Sequence, residues 1–245
     1  MSVIFWYEFK RLICNRIFFA LLLITALYSY MILNREIILG IAFTAPFSSW
    51  SFSAYLSRIM PLLMITLLFF ITFMYSNHEK QVRQLTLAAP LDPVKFLLVK
   101  CASIMAAFLV IVLFAIVMAL VFYIVLFGFT GFGNFIIPIA ITLLPCLLFF
   151  LGAALLLGKV QYNFLYVLMI TALLLAFLPL PEFFDLYGGR FFGSYPLTLP
   201  TGPDGEPAFV LPASFILGRL FFCAAGLSTI YCGLFRQSQE HYLVL

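Results

Sequence analysis

The sequence predicts an all-α polytopic membrane protein with six transmembrane helices, and its composition is the first reason. Of the 245 residues, 65% are hydrophobic and only 9% are charged, and the mean hydropathy is +1.19. A soluble domain has roughly 45–50% apolar and about 25% charged residues. The composition therefore excludes a soluble enzyme, a nucleic-acid-binding domain and a disordered chain, and it leaves a multi-pass membrane protein.

Six apolar stretches are the second reason, because each approaches the length of about 20 residues that a spanning helix needs. Together they predict a transmembrane domain over residues 17–234. The third stretch exceeds the hydrocarbon thickness, and we expect that helix to tilt or to project beyond the bilayer. The predicted spans cover about residues 17–33, 59–75, 96–127, 136–157, 164–181 and 214–234.

The distribution of basic residues predicts that both termini are cytoplasmic. Six spans place the two chain ends on one side, and Lys and Arg are enriched in cytoplasmic loops. With the termini inside, nine of the 13 Lys and Arg residues are cytoplasmic and four are external. We therefore expect a multi-pass protein of the cell membrane, in particular a bacterial plasma membrane, with a cytoplasmic tail at 235–245. The external four are Arg35, Arg58, Arg190 and Arg219.

The N-terminal segment, residues 1–16, predicts an amphipathic helix that lies in the membrane interface. Apolar side chains recur at helical spacing on one face, and charged side chains occupy another. We expect the chain to turn into the first span near Asn15, and a continuous extension of that span is the alternative. The residues assigned to this interfacial helix are Phe5, Trp6, Phe9 and Arg11.

Two long external segments differ in character. Residues 34–58 are still apolar in the middle, which is typical of a partly re-entrant or interfacial segment. Residues 182–213 are rich in Gly and Pro and hold four of the nine acidic residues, so they predict a polar loop with turns. In the sixth span, small residues around Gly226 predict a close helix contact, either within the chain or between two copies.

Side chains that could carry chemistry are scarce within the spans. The two histidines, His78 and His241, lie outside them, and the five cysteines show no paired spacing. Catalytic, cofactor-binding and metal-binding residues are therefore not expected. Gly152–Val160 lacks the spacing and the hydroxyl of a phosphate-binding loop, so no ATPase site is expected. Arg58 and Arg219 lie near span ends, where they are expected to snorkel. Because the spans contain almost no charged residues that could relay ions, the energy for transport would have to come from a partner.

The loop from Ser76 to Lys100 carries the most specific pattern in the sequence. Ser76 and Glu79 fit a capping box that starts a short helix, and Pro90 ends it. A charged helix between two spans is typical of a docking element, and a solvated basic loop is the alternative. The residues assigned to this contact are Glu79, Lys80, Arg83, Gln84, Leu85 and Pro90.

This loop resembles the coupling region of permeases of the type-2 ATP-binding-cassette (ABC) exporter family. That region has an acidic residue, a leucine-rich stretch, a proline and a lysine that opens the third span, although Gln81-Val82 stands here where the family has Gly-Thr. The resemblance implies an interfacial N-terminal helix and a cytoplasmic coupling helix over residues 76–90. The matching residues are Glu79, Leu85, Leu87, Pro90 and Lys100.

The same resemblance implies a division of roles between subunits. Two permease chains, identical or different, would form the pathway, and two cytoplasmic ABC ATPase subunits that bind ATP and magnesium would drive it. The external loop at 182–213 would shape the outer gate. This chain itself would hold no cofactor, and its other contacts would be membrane lipid and no nucleic acid.

The expected function is export of a hydrophobic or amphipathic substrate, such as a peptide, a lipid or a drug-like molecule. Two other interpretations stay open. The first is a non-transporting membrane scaffold or assembly factor, which also needs no buried charge. The second is a membrane enzyme that acts on lipid headgroups, for which Glu182, Asp185 and Arg190 are the external candidates.

Overall fold

The structure is a computed structural model that describes residues 2–75, 93–200, 202 and 206–242, with the backbone alone at 93–94 and 234–242. Over these residues the chain consists of helices and irregular connections, without a strand. Short π- and 3-10-helical turns occupy Leu33–Ile37, Phe132–Phe135 and Tyr195–Thr198. The helices are α1 (Ser2–Ile13), α2 (Arg16–Ile32), α3 (Ser49–Met74), α4 (Pro93–Phe127), α5 (Ile136–Val160), α6 (Asn163–Leu174), α7 (Gly189–Ser194) and α8 (Ala213–Tyr242).

Within the described residues, five helices are long and apolar enough to cross a membrane, which confirms the coarse prediction of a multi-pass helical membrane protein. The fifth predicted span, 164–181, is not among them. Its helix, α6, has 12 residues, so it covers about 18 Å of a hydrocarbon core that is about 30 Å thick. A sixth crossing therefore stays a prediction. The five helical stretches are Arg16–Ile37, Ser49–Met74, Lys95–Phe127, Phe132–Val160 and Ala213–Gly233.

The second spanning helix begins at Ser49 and not at residue 59, where the hydropathy of the sequence rises. The Ser48 side chain accepts a hydrogen bond from the Ser51 N–H (3.1 Å) and caps the helix. The first turns of α3 contain several serines, which lower the local hydropathy, but they also carry Trp50 and Tyr55, and both of these rings are buried. Part of the segment predicted to be external is therefore the N-terminal end of a buried helix.

The helix α3 lies at the centre of the bundle and contacts α2, α4, α5, α6 and α7. Most of its side chains are buried, as is typical of a helix that is hydrophobic on all sides. Several of its hydroxyls donate to carbonyls one turn earlier in the same helix, as Ser53 does to Ser49 (2.7 Å) and Thr66 to Leu62 (2.9 Å), and these need no partner on the surrounding helices. The Tyr55 hydroxyl instead donates to the carbonyl of Ala115 on α4 (2.8 Å).

The helices α5 and α8 pack with their backbones in close contact. A Cβ atom placed on Gly226 would lie 2.5 Å from the carbonyl carbon of Leu148. A Cβ atom placed on Gly152 would lie 2.6 Å from the carbonyl oxygen of Gly226. Small residues allow helices in a membrane to approach in this way. The structure thus places the contact predicted around Gly226 within the chain.

Candidate functional site

A cavity of about 680 Å³ lies between α3, the end of α6 and the segment 175–194. We call it the outer cavity, because it lies in the half of the bundle that holds the α2–α3 connection, which is the external side in the predicted orientation. Ser57 and Pro61 of α3 form part of its wall. Its volume falls in the range of about 300–1,000 Å³ that is typical of ligand pockets.

The segment that follows α6 is irregular, and its part from Leu186 to Gly188 is buried in the bundle. The ring of Tyr187 stacks on Phe150 with centroids 6.3 Å apart, and Phe150 lies about 21 Å along α5 from Ile136. The Tyr187 hydroxyl donates to the carbonyl of Ala172 (2.8 Å). Irregular backbone at membrane depth is tolerated where it is buried in protein or lines a water-filled cavity. Leu186 and Tyr187 meet the first condition, and Tyr187 also lines the outer cavity.

The carbonyl of Leu186 anchors the segment, because two side chains donate to it. The donors are the guanidinium of Arg219, at its Nη1, and the thiol of Cys146 (Sγ to O, 3.1 Å). Arg219 is 5% exposed and lies 4.4 Å from the centroid of the Phe215 ring, so it is buried in the bundle and does not snorkel as expected. No local pattern in the sequence points to this anchor, since its members are far apart in the chain.

Asp185 holds the beginning of α7. Its carboxylate accepts hydrogen bonds from the backbone N–H groups of Gly188 (2.9 Å), Arg190 (3.2 Å) and Phe191 (3.5 Å). Gly188 has φ +75°, a backbone conformation that glycine adopts without strain. Asp185 therefore acts as a structural cap for the short helix.

The three residues considered for headgroup chemistry, Glu182, Asp185 and Arg190, all line the outer cavity. Two of them are engaged in the fold, because Asp185 caps α7 and Glu182 accepts a hydrogen bond from Ser214 (3.4 Å). These hydrogen bonds orient both carboxylates towards groups of the fold.

A pair of opposite charges borders the outer cavity on the side of α2. Arg58 lines the cavity, and its Nε lies 3.4 Å from an oxygen of Glu36. Arg58 is in the third turn of α3, about 14 Å from the beginning of that helix. Both side chains are about half exposed, at 54% and 47%. A pair at this depth is stable where it faces water, a polar ligand or another chain.

A second candidate site joins α1 to the beginning of α4. The Ser103 hydroxyl lies within hydrogen-bonding distance of two carbonyls, that of Phe5 in α1 (3.2 Å) and that of Val99 in α4 (3.0 Å), and Lys100 Nζ lies 3.9 Å from Glu8 Oε1. Lys100 is 8% exposed, and it lines with Glu8 a small cavity of about 200 Å³. The lysine singled out in the resemblance thus contacts the N-terminal helix.

The residues assigned to the interfacial helix take different positions. Phe5 and Phe9 are partly buried and stack on each other at 5.9 Å, whereas Trp6 is 64% exposed and Arg11 is exposed. The helix ends at Ile13, and the Asn15 side chain accepts from the Ile17 N–H (3.1 Å) and caps α2. The structure therefore has a separate N-terminal helix and a turn at the predicted place.

The predicted coupling contact lies outside the described residues. The described chain stops at Tyr75 and resumes at Pro93, at the end of the bundle where α1 contacts α4, which is the cytoplasmic side in the predicted orientation. The residues concerned are Glu79, Lys80, Arg83, Gln84, Leu85 and Pro90.

In the part of the chain that the structure describes, no three His, Cys, Asp or Glu side chains lie close enough to hold a metal ion. Comparison of the chain with protein-family models, with curated proteins and with solved structures gives no match.

Proposed function

We propose that this chain is the permease subunit of an ABC exporter, which moves a hydrophobic or amphipathic substrate and is driven by a separate ATPase subunit. The observation that carries the proposal is the position of α1. This amphipathic helix contacts the beginning of α4 through Lys100 and Ser103, at the end of the bundle where the described chain stops at Tyr75 and resumes at Pro93. A movement of the predicted coupling segment would therefore reach α1 and α4 together.

The distribution of charge supports an external source of energy. The long helices are apolar, and the Arg58 side chain in α3 is paired with Glu36. A proton or ion relay through the centre of the bundle would need titratable groups along α3, and α3 buries only hydroxyls there besides its apolar side chains. ATP hydrolysis in a partner subunit supplies the driving force in this proposal.

The described helices expose apolar faces that lipid or a second permease chain can cover. Large apolar side chains are exposed along several helices, for example Leu27 of α2, Leu113 of α4 and Leu220 of α8, at about 60% each. Such faces pack against lipid or against another helix. The dimer in the proposal uses part of this surface.

Co-purification and reconstitution test the proposal. Affinity capture of the full-length chain should retain a protein with nucleotide-binding motifs, and vesicles that contain both subunits should move an amphipathic dye only with ATP. Reversing the charge of Lys80 and Arg83 should abolish the coupling, whereas the same change at the external Arg35 should not. A chain that binds no ATPase, or that gives no ATP-dependent movement, would instead fit a scaffold or assembly factor.

A further inference from the structure

The connection between α2 and α3 presents two large apolar side chains away from the bundle. We call residues 38–45 of this connection the outer turn. Within it, Leu39 is 88% exposed and Phe43 is 94% exposed, which are the largest exposed fractions among the large apolar side chains that the structure describes. The sequence has no charged residue from Ile37 to Ser57 that would favour a setting in water. The two side chains therefore need an apolar or partly apolar environment outside the fold.

The backbone of the outer turn specifies the position of Phe43. Ala42 and Phe43 have φ of +52° and +60°, a left-handed conformation that is uncommon for residues other than glycine and an outlier for a bulky one. Gly40 also has a positive φ, and a Cβ atom placed on it would overlap the carbonyl oxygen of Thr44. Such strain persists only where the surrounding structure determines it, and it is concentrated at functional sites. The exposure of Phe43 is therefore a determined feature of the fold.

Hydrogen bonds support this conformation and attach the outer turn to two other parts of the chain. The Ile41 N–H donates to Ser51 Oγ in α3 (3.2 Å), and Thr44 Oγ1 donates to the carbonyl of Ile41 (2.7 Å). The Ala45 N–H donates to the carboxylate of Glu206 (2.8 Å). The outer turn thus joins the beginning of α3 to the segment that precedes α8.

The attachment to Ser51 sets the depth of the outer turn in the membrane. Counted from Met74 at the end of α3, about 20 residues cover the hydrocarbon core of about 30 Å and reach Tyr55. Ser51 lies about 6 Å beyond Tyr55, and the headgroup layer adds roughly 5–7 Å on each side of the core. The same count from Arg16 at the beginning of α2 ends at Arg35, just before the turn. Both counts place the outer turn at the level of the lipid headgroups.

We propose that the outer turn is a membrane anchor, in which Phe43 and Leu39 insert among the lipid headgroups and the adjoining acyl chains. Phe and Leu are typical of surfaces that enter this zone. Below the turn, α2 exposes Leu27 and Tyr30 at 62% and 54%, so the turn adjoins a surface that is suited to lipid. Through Glu206, the anchor also fixes the segment before α8 relative to the bilayer. The anchor requires no ATPase and is independent of the proposed function.

Tryptophan fluorescence of the full-length chain in lipid nanodiscs tests the anchor. The chain has two tryptophans, and Trp6→Phe removes the exposed one and leaves Trp50, which is 1% exposed. In this background, Phe43→Trp places a probe in the outer turn, and the difference between the two chains gives its emission. The quenchers are phosphatidylcholine brominated near the glycerol end of its acyl chains, phosphatidylcholine brominated near their methyl ends, and iodide in the water.

Leu27→Trp in the same background is the matched control, because Leu27 is exposed and lies near the middle of the first spanning helix. The probe at residue 43 should lose more emission to the lipid brominated near the glycerol end than to the other lipid. The probe at residue 27 should show the opposite order. Iodide should quench the probe at residue 43 less than it quenches free tryptophan. Leu39→Trp is a second probe of the turn, at a position without the positive φ, and it should behave like the probe at residue 43.

Three results would overturn the proposal. Strong quenching by iodide, with none by either lipid, places the outer turn in water. Protection from iodide and from both lipids shows that protein covers the turn, for example a second copy of the chain. Stronger quenching by the lipid brominated near the methyl ends excludes the headgroup level. A failure of ATP-driven transport would leave these measurements unaffected, so it would count against the proposed function alone.

Discussion

The contact between α5 and α8 predicts that a single methyl group at Gly226 destabilises the bundle. In Gly226→Ala the new Cβ atom would lie 2.5 Å from the carbonyl carbon and 2.6 Å from the oxygen of Leu148, and 2.7 Å from the nitrogen of Phe149. All three neighbours are backbone atoms, so no side-chain rotation relieves the overlap. One helix must move by about 0.9 Å before the carbon atoms reach an ordinary contact of 3.4 Å.

Two opposing terms set the magnitude of this effect. Overpacking of a tight contact costs about 1–3 kcal/mol. Alanine is favoured over glycine in a helix interior by up to about 1 kcal/mol, which offsets part of the cost. We therefore expect Gly226→Ala to lower the free energy of unfolding by roughly 1–2 kcal/mol.

Equilibrium unfolding in mixed micelles, followed by tryptophan fluorescence, measures this change. Gly193→Ala is the matched control, because Gly193 is also helical and a Cβ atom there has no neighbour within 4 Å. The control should be as stable as the unaltered chain or slightly more stable. If Gly226→Ala unfolds at the same denaturant concentration as the control, the close approach of α5 and α8 is refuted.

Three further predictions concern the two candidate sites. Glu8→Gln weakens the contact with Lys100, so the backbone amides of α1 should exchange faster and the free energy of unfolding should fall by roughly 1 kcal/mol. Unchanged amide exchange would contradict the docking of α1 on α4. Arg219→Ala removes a donor to Leu186, so the buried thiol of Cys146 should become reactive towards a maleimide, and continued protection would argue against the anchor. Asp185→Ala removes the cap of α7 and should cost about 1 kcal/mol in thermal unfolding, and no loss would show that the cap is dispensable.

The membrane class and the break between α1 and α2 were predictable, because both depend on local sequence. Five of the six predicted apolar runs correspond to long apolar helices among the described residues, and Asn15 is an N-cap residue by its chemistry. The end of α6 at Leu174 was harder to predict, since the apolar run continues to residue 181 while the helix does not. Pro179 and Pro181 mark this region as unsuited to a continuous helix, and the hydropathy of the run conceals that signal.

The outer cavity could not be predicted in the same way. Arg58 and Arg190 are separated by most of the chain, and only the packing of the segment 175–194 against α3 places them around one space. The burial of Arg219 depends likewise on the return of Leu186 into the bundle. Local sequence patterns indicate which residues form a helix. They contain no information on which residues from distant parts of the chain will pack against that helix.

The central position of α3 has a consequence for synthesis in the cell. Of the helices that surround it, α2 is made earlier, whereas α4, α5, α6 and α7 all emerge from the ribosome later. At its outer end, Trp50 is covered by the rings of Phe191 and Phe192, at 6.3 Å and 6.4 Å. A chain cut before residue 189 would insert α3 in full and still lack these rings. The last third of the protein therefore completes a helix made in the first third, and a truncated product would carry an uncovered aromatic surface by which quality control can recognise it.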